Sequence, residues 1–186
     1  LLRVIFSSKF TFYGLIIAEL VLVVVLSAAI NKMSAFMATF VFLFYSAVNG
    51  LTLSAIFFLY TSGSIASTFL VTAGTFAAMS AYGYFTKKDL TRWGSLLFMA
   101  LIGLIIASVV NWFLNSETLY WISTYAGVLI FTGLTAYDTQ KIKKQNKIGN
   151  EGTEEDRKEA ILGALTLYLD FINLFLYLLR IMGKRR

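Results

Sequence analysis

The chain has 186 residues, of which 58% are hydrophobic and only 14% are charged, whereas soluble domains are about half apolar and a quarter charged. Because each membrane-spanning helix needs about 20 apolar residues, this length predicts a membrane protein with about six or seven spans. The absence of Cys and His excludes disulfides, thiolate or imidazole metal sites and a Ser-His-Asp triad, and the net charge of +6 indicates membrane orientation, not nucleic-acid binding.

The hydrophobic runs predict an all-α polytopic membrane protein whose residues 1–186 form a single transmembrane domain. The first span is interrupted only by Glu19, and the long uncharged stretch that follows is divided at the small polar turn 61–64. Trp93 and Trp112 lie near the two ends of the fourth span, as is typical of membrane–water interfaces. The six predicted helices cover about residues 12–30, 34–60, 64–85, 93–114, 118–141 and 160–181, and the segment 142–159 is a predicted cytoplasmic loop.

Lysine and arginine are distributed unevenly over the predicted loops. The positive-inside rule therefore places residues 32, 87–92 and 141–159 in the cytoplasm. The basic tail disagrees with this orientation if the last helix crosses completely, so either the tail is an exception or the last helix does not cross. The basic residues of the cytoplasmic side are Lys32, Lys87, Lys88, Arg92, Lys141, Lys143, Lys144, Lys147, Arg157 and Lys158; those of the opposite side are Arg3 and Lys9; those of the tail are Arg180, Lys184, Arg185 and Arg186.

The last predicted helix carries an acidic residue, Asp170, at its middle. A charge at the centre of a spanning helix costs about 2.5–3.5 kcal/mol on insertion scales, so this carboxyl group must be paired, hydrated or protonated. Thr166, Asn173, Tyr177 and Arg180 share its helix face. This polar stripe indicates a water-lined path or an internal polar seam, and the alternative is that it only forms hydrogen bonds with neighbouring helices.

Two further acids lie in apolar surroundings. Asp138 follows Tyr137 at the cytoplasmic end of its span, and its local sequence favours an interfacial acid facing Lys141 over a functional residue. For Glu19 the possibilities are that it reaches the membrane surface, pairs with Asn49 or Arg180, or lies protonated in the core.

Two segments are similar to signature sequences of a known family. Leu134-Thr-Ala-Tyr-Asp-Thr-Gln-Lys-Ile142 and Leu167-Tyr-Leu-Asp-Phe-Ile-Asn-Leu-Phe175 resemble the two signature segments of the transmembrane Bax inhibitor motif family, in particular its bacterial, YccA-like members. The resemblance implies seven helices, the last one central and wrapped by the other six. Since this chain matches helices two to seven and begins with Leu, we expect its first helix to be missing through truncation.

The resemblance also implies a function. Members of the family are associated with a pH-sensitive calcium leak, and their paired aspartates correspond to Asp138 and Asp170. Two carboxylates in a low-dielectric site cannot both ionise easily, so the pair is expected to titrate as a unit and to serve as the pH sensor. Calcium prefers six to eight oxygen ligands, so two carboxylates form only a weak, transient site. Lys32 is a candidate cationic partner of the pair.

Other functions implied by the resemblance, or suggested by the residues, remain open. Some members instead bind and restrain other membrane proteins, including a membrane-bound protease in bacteria, so a non-conducting regulator with a cytoprotective or stress role is the alternative. Catalysis is not expected: intramembrane aspartyl proteases also use two aspartates, but their second motif is Gly-Leu-Gly-Asp, whereas Asp170 follows Tyr168-Leu169. We expect no cofactor other than calcium as the transported ion, no nucleic-acid partner, and a location in the bacterial inner membrane.

Overall fold

The computed structural model describes residues 9–145 and 152–186, so Arg3 and Lys147 of the orientation prediction lie outside the described residues. Among the described residues, six helical segments are long and apolar enough to cross a membrane, and no β-strand is present. The predicted all-α membrane fold is therefore confirmed. The helices are α1 (Lys9–Ala29), followed by a 3-10 turn (Ile30–Lys32), α2 (Ala35–Leu53), α3 (Ile56–Leu59), α4 (Ser62–Phe85), α5 (Thr91–Leu114), α6 (Glu117–Gln145) and α7 (Glu154–Met182).

The helices extend further into the segment 142–159 than its hydropathy predicts. Helix α6 continues to Gln145, and α7 begins at Glu154 instead of at residue 160. The Thr153 hydroxyl accepts a hydrogen bond of 3.1 Å from the Asp156 backbone N–H and caps α7, and three acids in the first turn favour the positive end of the helix dipole. Much of the predicted loop is thus helical, since charged residues can form a helix outside the apolar core of a span.

The second predicted span is also interrupted. The α-helical run of α2 ends at Leu53 and a short helix, α3, resumes at Ile56. At the break, the Ser54 hydroxyl donates a 2.5 Å hydrogen bond to the Leu51 carbonyl. A serine that bonds to the preceding turn competes with the regular helical pattern and bends the helix.

The described residues form two compact units, and unit 1 comprises residues 9–60, 152–165 and 186. Within it α1 packs against α2, and Leu26 and Ala38 are completely buried. The Asn49 side-chain amide donates a 2.9 Å hydrogen bond to Glu19, and the Thr52 hydroxyl donates to the other carboxylate oxygen. Of the partners predicted for Glu19, the structure therefore identifies Asn49.

Unit 2 comprises residues 61–145 and 166–185, and thus contains α4, α5, α6 and the remainder of α7. Helix α6 packs against both α4 and α5. The packing against α4 is close at Gly83, where a Cβ atom would lie 2.1 Å from the Ala136 carbonyl oxygen. The hydrophobic core of the unit joins α5, α6 and α7 through Leu104, Ile130, Phe131, Leu134 and Leu174.

The two ends of unit 2 differ in their contacts. At one end, which we call the tail end, the Thr61 N–H donates to the Lys184 carbonyl and the Lys184 N–H donates to the Ser64 hydroxyl, both at 3.0 Å. The Arg180 guanidinium also lies over the Tyr120 ring there, 5.5 Å from its centroid. The tail thus lies beside residues 61–64, which form the start of α4 instead of the predicted turn and which the positive-inside rule assigns to the non-cytoplasmic side.

At the opposite end, which we call the lysine end, α6 holds the loop between α4 and α5. The Gln140 side chain accepts a 2.9 Å hydrogen bond from the Leu90 N–H and donates one of 2.8 Å to the Lys88 carbonyl. Lys144 forms a 2.8 Å salt bridge with Asp89, and Lys143 donates to the Tyr84 carbonyl at 2.7 Å. Helix α7 contacts the tail end through Arg180, and the side of the membrane on which the basic tail lies stays a prediction.

Candidate functional site

A cavity of about 890 Å³ lies within unit 2 and is lined by α5, α6 and α7. Its α5 wall is mainly apolar and includes Phe98, Leu101, Leu104 and Ile105, whereas α6 and α7 supply most of the polar groups. The cavity is thus a partly polar space bordered by the apolar helices of unit 2, which is what an ion path or a polar seam requires. Its polar lining residues are Ser95, Ser108, Tyr137, Asp138, Lys141, Thr166, Asp170, Asn173 and Tyr177.

Two carboxyl groups meet in this cavity. Asp138 of α6 and Asp170 of α7 lie within hydrogen-bonding reach of each other, and their exposed fractions are only 8% and 4%. The Oδ2 atom of Asp170 is buried and has no hydrogen-bond partner among the described residues. Since a buried carboxylate oxygen without a partner is costly, it is a natural position for a proton, a water or a cation.

Close packing on α6 fixes the Asp138 side of the pair. The ring of the preceding residue, Tyr137, lies against Gly94 of α5, where a Cβ atom would approach the ring to 2.4 Å. Only a glycine leaves room for the ring at this depth, so Gly94 allows Tyr137 to pack against α5 beside the cavity. Lys141, one helical turn after Asp138, lies close enough for its ammonium charge to act on that carboxyl group.

Aromatic packing fixes the Asp170 side of the pair. Phe171, the next residue of α7, lies edge-to-face against Phe69 and Phe76 of α4, with centroid distances of 5.6 and 5.4 Å. Such pairs stabilise a helix contact by about 0.5–1.5 kcal/mol beyond the burial of their area. The two carboxyl groups are therefore placed by packed neighbours on either side, and not by mobile loops.

The predicted polar stripe of α7 extends on both sides of Asp170, and its Asn173 and Tyr177 lie toward the tail end. Thr166, Asn173 and Tyr177 line the same cavity as Asp170, although the Asn173 amide also donates a 2.8 Å hydrogen bond to the Leu169 carbonyl of its own helix. The Tyr177 ring stacks on Phe131 at 5.9 Å. The Arg180 guanidinium lies 4.9 Å from the centroid of the Tyr177 ring.

Two other candidates lie elsewhere in the chain. Glu19 and Lys32 belong to unit 1, where Glu19 is bound by Asn49 and Thr52 and Lys32 is exposed at the end of the 3-10 turn. Sequence reasoning missed the α5 wall of the cavity, including Ser95 and Ser108. The only signal for that wall was a serine on either side of an otherwise apolar run.

Comparison with known proteins identifies the family. The family model described as "Inhibitor of apoptosis-promoting Bax1" matches residues 1–186, the whole chain. The chain belongs to this Bax inhibitor family. The resemblance found in the sequence is therefore confirmed, and with it the assignment as an integral membrane protein.

Proteins similar to this chain come from several bacteria. The chain is similar to the inner membrane protein YbhL of Escherichia coli (strain K12), with 60% identity over 186 residues that cover 100% of this chain and 80% of the relative. An uncharacterized protein of Borreliella burgdorferi is 53% identical over 183 residues, covering 98% and 79% of the two chains. An uncharacterized membrane protein of Streptococcus pyogenes serotype M1 is 41% identical over 184 residues, covering 99% and 79%.

Proposed function

We propose that this protein is a pH-sensitive calcium leak channel of the bacterial inner membrane, with Asp138 and Asp170 as its proton sensor. The observation that carries the proposal is the meeting of these two carboxyl groups, both more than nine-tenths buried, in a partly polar cavity of a membrane-spanning unit. The inner membrane is the location that the name of YbhL gives for that relative.

A proton shared between the two carboxyl groups would close the path. Hydrogen-bonded carboxyls link α6 to α7, whereas two ionised carboxylates at this distance repel each other strongly in a low-dielectric interior. Loss of the proton would therefore weaken the contact between the helices and bias the unit toward an open state. The pair would titrate as one unit, so the flux would follow the protonation of the pair.

The charges of the cavity favour cations when the pair is deprotonated. Among the described residues that line it, the charged groups are Asp138, Asp170 and Lys141. With one shared proton the lining is neutral, and without that proton it carries a net charge of about −1. Two carboxylates with hydroxyl, amide and water oxygens would bind calcium weakly enough for it to leave, as a leak requires.

The test is calcium flux into proteoliposomes that contain the intact protein and a trapped calcium indicator. We expect the wild-type flux to rise with pH, by at most about tenfold per pH unit because a single proton controls opening. In Asp170→Asn the amide donates a permanent hydrogen bond to Asp138, so the flux should stay low and lose its pH dependence. Asp138→Asn should behave in the same way.

The matched control is Asp89→Asn, the same substitution at an exposed aspartate of the lysine end that does not line the cavity. Its pH profile should match the wild type. An unchanged pH profile in both cavity variants would contradict the proposal.

The alternative proposal, a non-conducting regulator that binds a membrane protease or another membrane protein, gives a different result in this assay. Wild-type proteoliposomes would then show no calcium flux at any pH, and crosslinking in native membranes would recover the partner. Neither proposal includes catalysis or a resident cofactor. Supporting roles for Glu19 and Lys32 of unit 1 stay predictions.

A further inference from the structure

A second, smaller cavity lies at the lysine end of unit 2. It has a volume of about 210 Å³ and lies between the loop after α4 and the end of α6. Its charged lining residues are Lys87, Lys88, Lys143, Lys144 and Asp89, so its net charge is 4 − 1 = +3. This cavity does not include the aspartate pair, and it is separate from the proposed calcium path.

The four lysines are not equivalent. Lys144 is paired with Asp89 at 2.8 Å, and the Lys143 ammonium donates to the Tyr84 carbonyl and lies 4.5 Å from the centroid of the Tyr84 ring. The Lys87 and Lys88 ammonium groups, in contrast, form no hydrogen bond or ion pair within residues 9–145 and 152–186. Within the part of the chain that the structure describes, two cations without an ion pair therefore lie beside two that are held in fixed positions.

The loop that carries Lys87 and Lys88 is itself held in place. The Gln140 side chain, which is only 6% exposed, binds the Lys88 carbonyl and the Leu90 N–H at 2.8 and 2.9 Å. A binding site formed by a fixed loop loses less entropy on binding than one formed by a mobile segment.

The position of the cavity indicates its depth in the membrane. The apolar spans on either side end at Phe85 and begin at Thr91, so the cavity lies where spanning segments meet water. Large aromatic side chains are exposed at the same level: Phe85 is 76% exposed and Trp93 is 63% exposed. Exposed aromatic residues at the end of a span are typical of the headgroup region of a bilayer.

We propose that this cavity binds the phosphate of an anionic phospholipid headgroup. Basic pockets between spanning helices at this depth are suited to anionic headgroups, and a volume of about 210 Å³ is below the range of about 300–1,000 Å³ typical of pockets that enclose a whole organic ligand. The exposed Phe85 beside the cavity offers an apolar surface to the lipid chains. A lipid is therefore favoured over a free phosphate ion, because the ion has the negative charge but lacks the acyl chains that would contact Phe85.

The test is native mass spectrometry of the intact protein in a non-ionic detergent with equal amounts of phosphatidylglycerol and phosphatidylcholine. We expect the wild type to retain phosphatidylglycerol in preference to phosphatidylcholine. The double substitution Lys87→Gln and Lys88→Gln should weaken this binding by about 30-fold, since each lysine near an anionic headgroup contributes about fivefold. Lys87→Arg with Lys88→Arg keeps the charge and should keep the binding.

The control is the double substitution Lys184→Gln and Arg185→Gln, which removes the same charge from exposed residues of the tail end. It should change phosphatidylglycerol binding by less than about twofold. The proposal would be overturned if the two Gln double variants lost phosphatidylglycerol binding equally, or if neither lost it. It would also be overturned if the wild type retained the two lipids equally. Displacement of the lipid by inorganic phosphate would overturn it too, because the site would then be one for soluble anions.

Discussion

The closest helix contact in unit 2 gives a quantitative prediction. A Cβ atom at Gly83 of α4 would lie 2.1 Å from the Ala136 carbonyl oxygen of α6, whereas ordinary contacts begin at 3.4 Å. The substitution Gly83→Ala therefore requires the two helices to separate by 3.4 − 2.1 = 1.3 Å. Since the obstacle is backbone, no side-chain rotation relieves it.

The expected destabilisation follows from two opposing terms. Overpacking costs about 1–3 kcal/mol, and we take the upper value because backbone atoms collide. Alanine is favoured over glycine inside a helix by about 1 kcal/mol. The net loss in the free energy of unfolding is thus about 2 kcal/mol, which corresponds to a fall in Tm of about 4–8 °C for a chain of this size.

The assay is thermal unfolding of the intact protein in detergent, followed by circular dichroism. Gly74→Ala is the matched control, because it lies in the same helix and a Cβ atom there meets nothing within 4 Å. Its Tm should stay the same or rise, since only the propensity term applies. If Gly83→Ala is as stable as Gly74→Ala, the close approach of α4 and α6 is wrong.

Two further predictions concern the lysine end. Gln140→Leu should lower the free energy of unfolding by about 1–3 kcal/mol, because it leaves the buried Leu90 N–H without a partner. Its control is Gln145→Leu at an exposed position, which should have little effect in the same thermal assay. The Lys144 ammonium lowers the pKa of the exposed Asp89 carboxyl from 3.8 to about 2, together with hydrogen bonds that the Thr91 hydroxyl and N–H donate to this carboxyl. The salt bridge should thus stabilise the fold fully above about pH 4 and lose this effect as the pH falls from about 4 to 2. Lys144→Gln should reduce this dependence, so a Tm difference from the wild type that is constant over that range would contradict the assignment.

The sequence predicts the apolar core of each span, but it predicts neither the limits of the spans nor the break inside the second one. Hydropathy detects long runs of apolar residues, so it identifies the segment from Trp93 to Leu114 readily. It cannot see the helical turns that begin at Glu154, because these are stabilised by a Thr153 cap and by acids at the helix N-terminus. The break after Leu53 was missed for a similar reason, since it depends on a local hydrogen bond of Ser54.

The aspartate pair illustrates what residue patterns omit. The periodicity of α7 placed Asp170 on a polar stripe, and the structure places Thr166, Asn173 and Tyr177 with it along one cavity. The local sequence of Asp138, however, favoured an interfacial acid facing Lys141, and its pairing with Asp170 was expected only from the family resemblance. Contacts between helices that are distant in sequence depend on packing, which a single sequence does not encode locally.

Gln140 was missed for the same reason. Its neighbours Thr139 and Lys141 are polar, and it lies at the polar end of the predicted helix 118–141, where hydropathy indicates no buried position. It is nevertheless only 6% exposed and binds two backbone groups of the loop between α4 and α5. A buried polar residue becomes recognisable only when its partners are known.

The hydrogen bonds between the start of α4 and Lys184 have a consequence for synthesis of the protein. Lys184 follows α7 in the chain, so the contacts that it makes with Thr61 and Ser64 cannot form until α7 has been translated. Helices α4, α5 and α6 enter the membrane earlier, with the Asp138 carboxyl still lacking Asp170. A chain that lacks α7 therefore leaves the Asp138 carboxyl without its carboxyl partner within the bilayer, where a lone charge is costly.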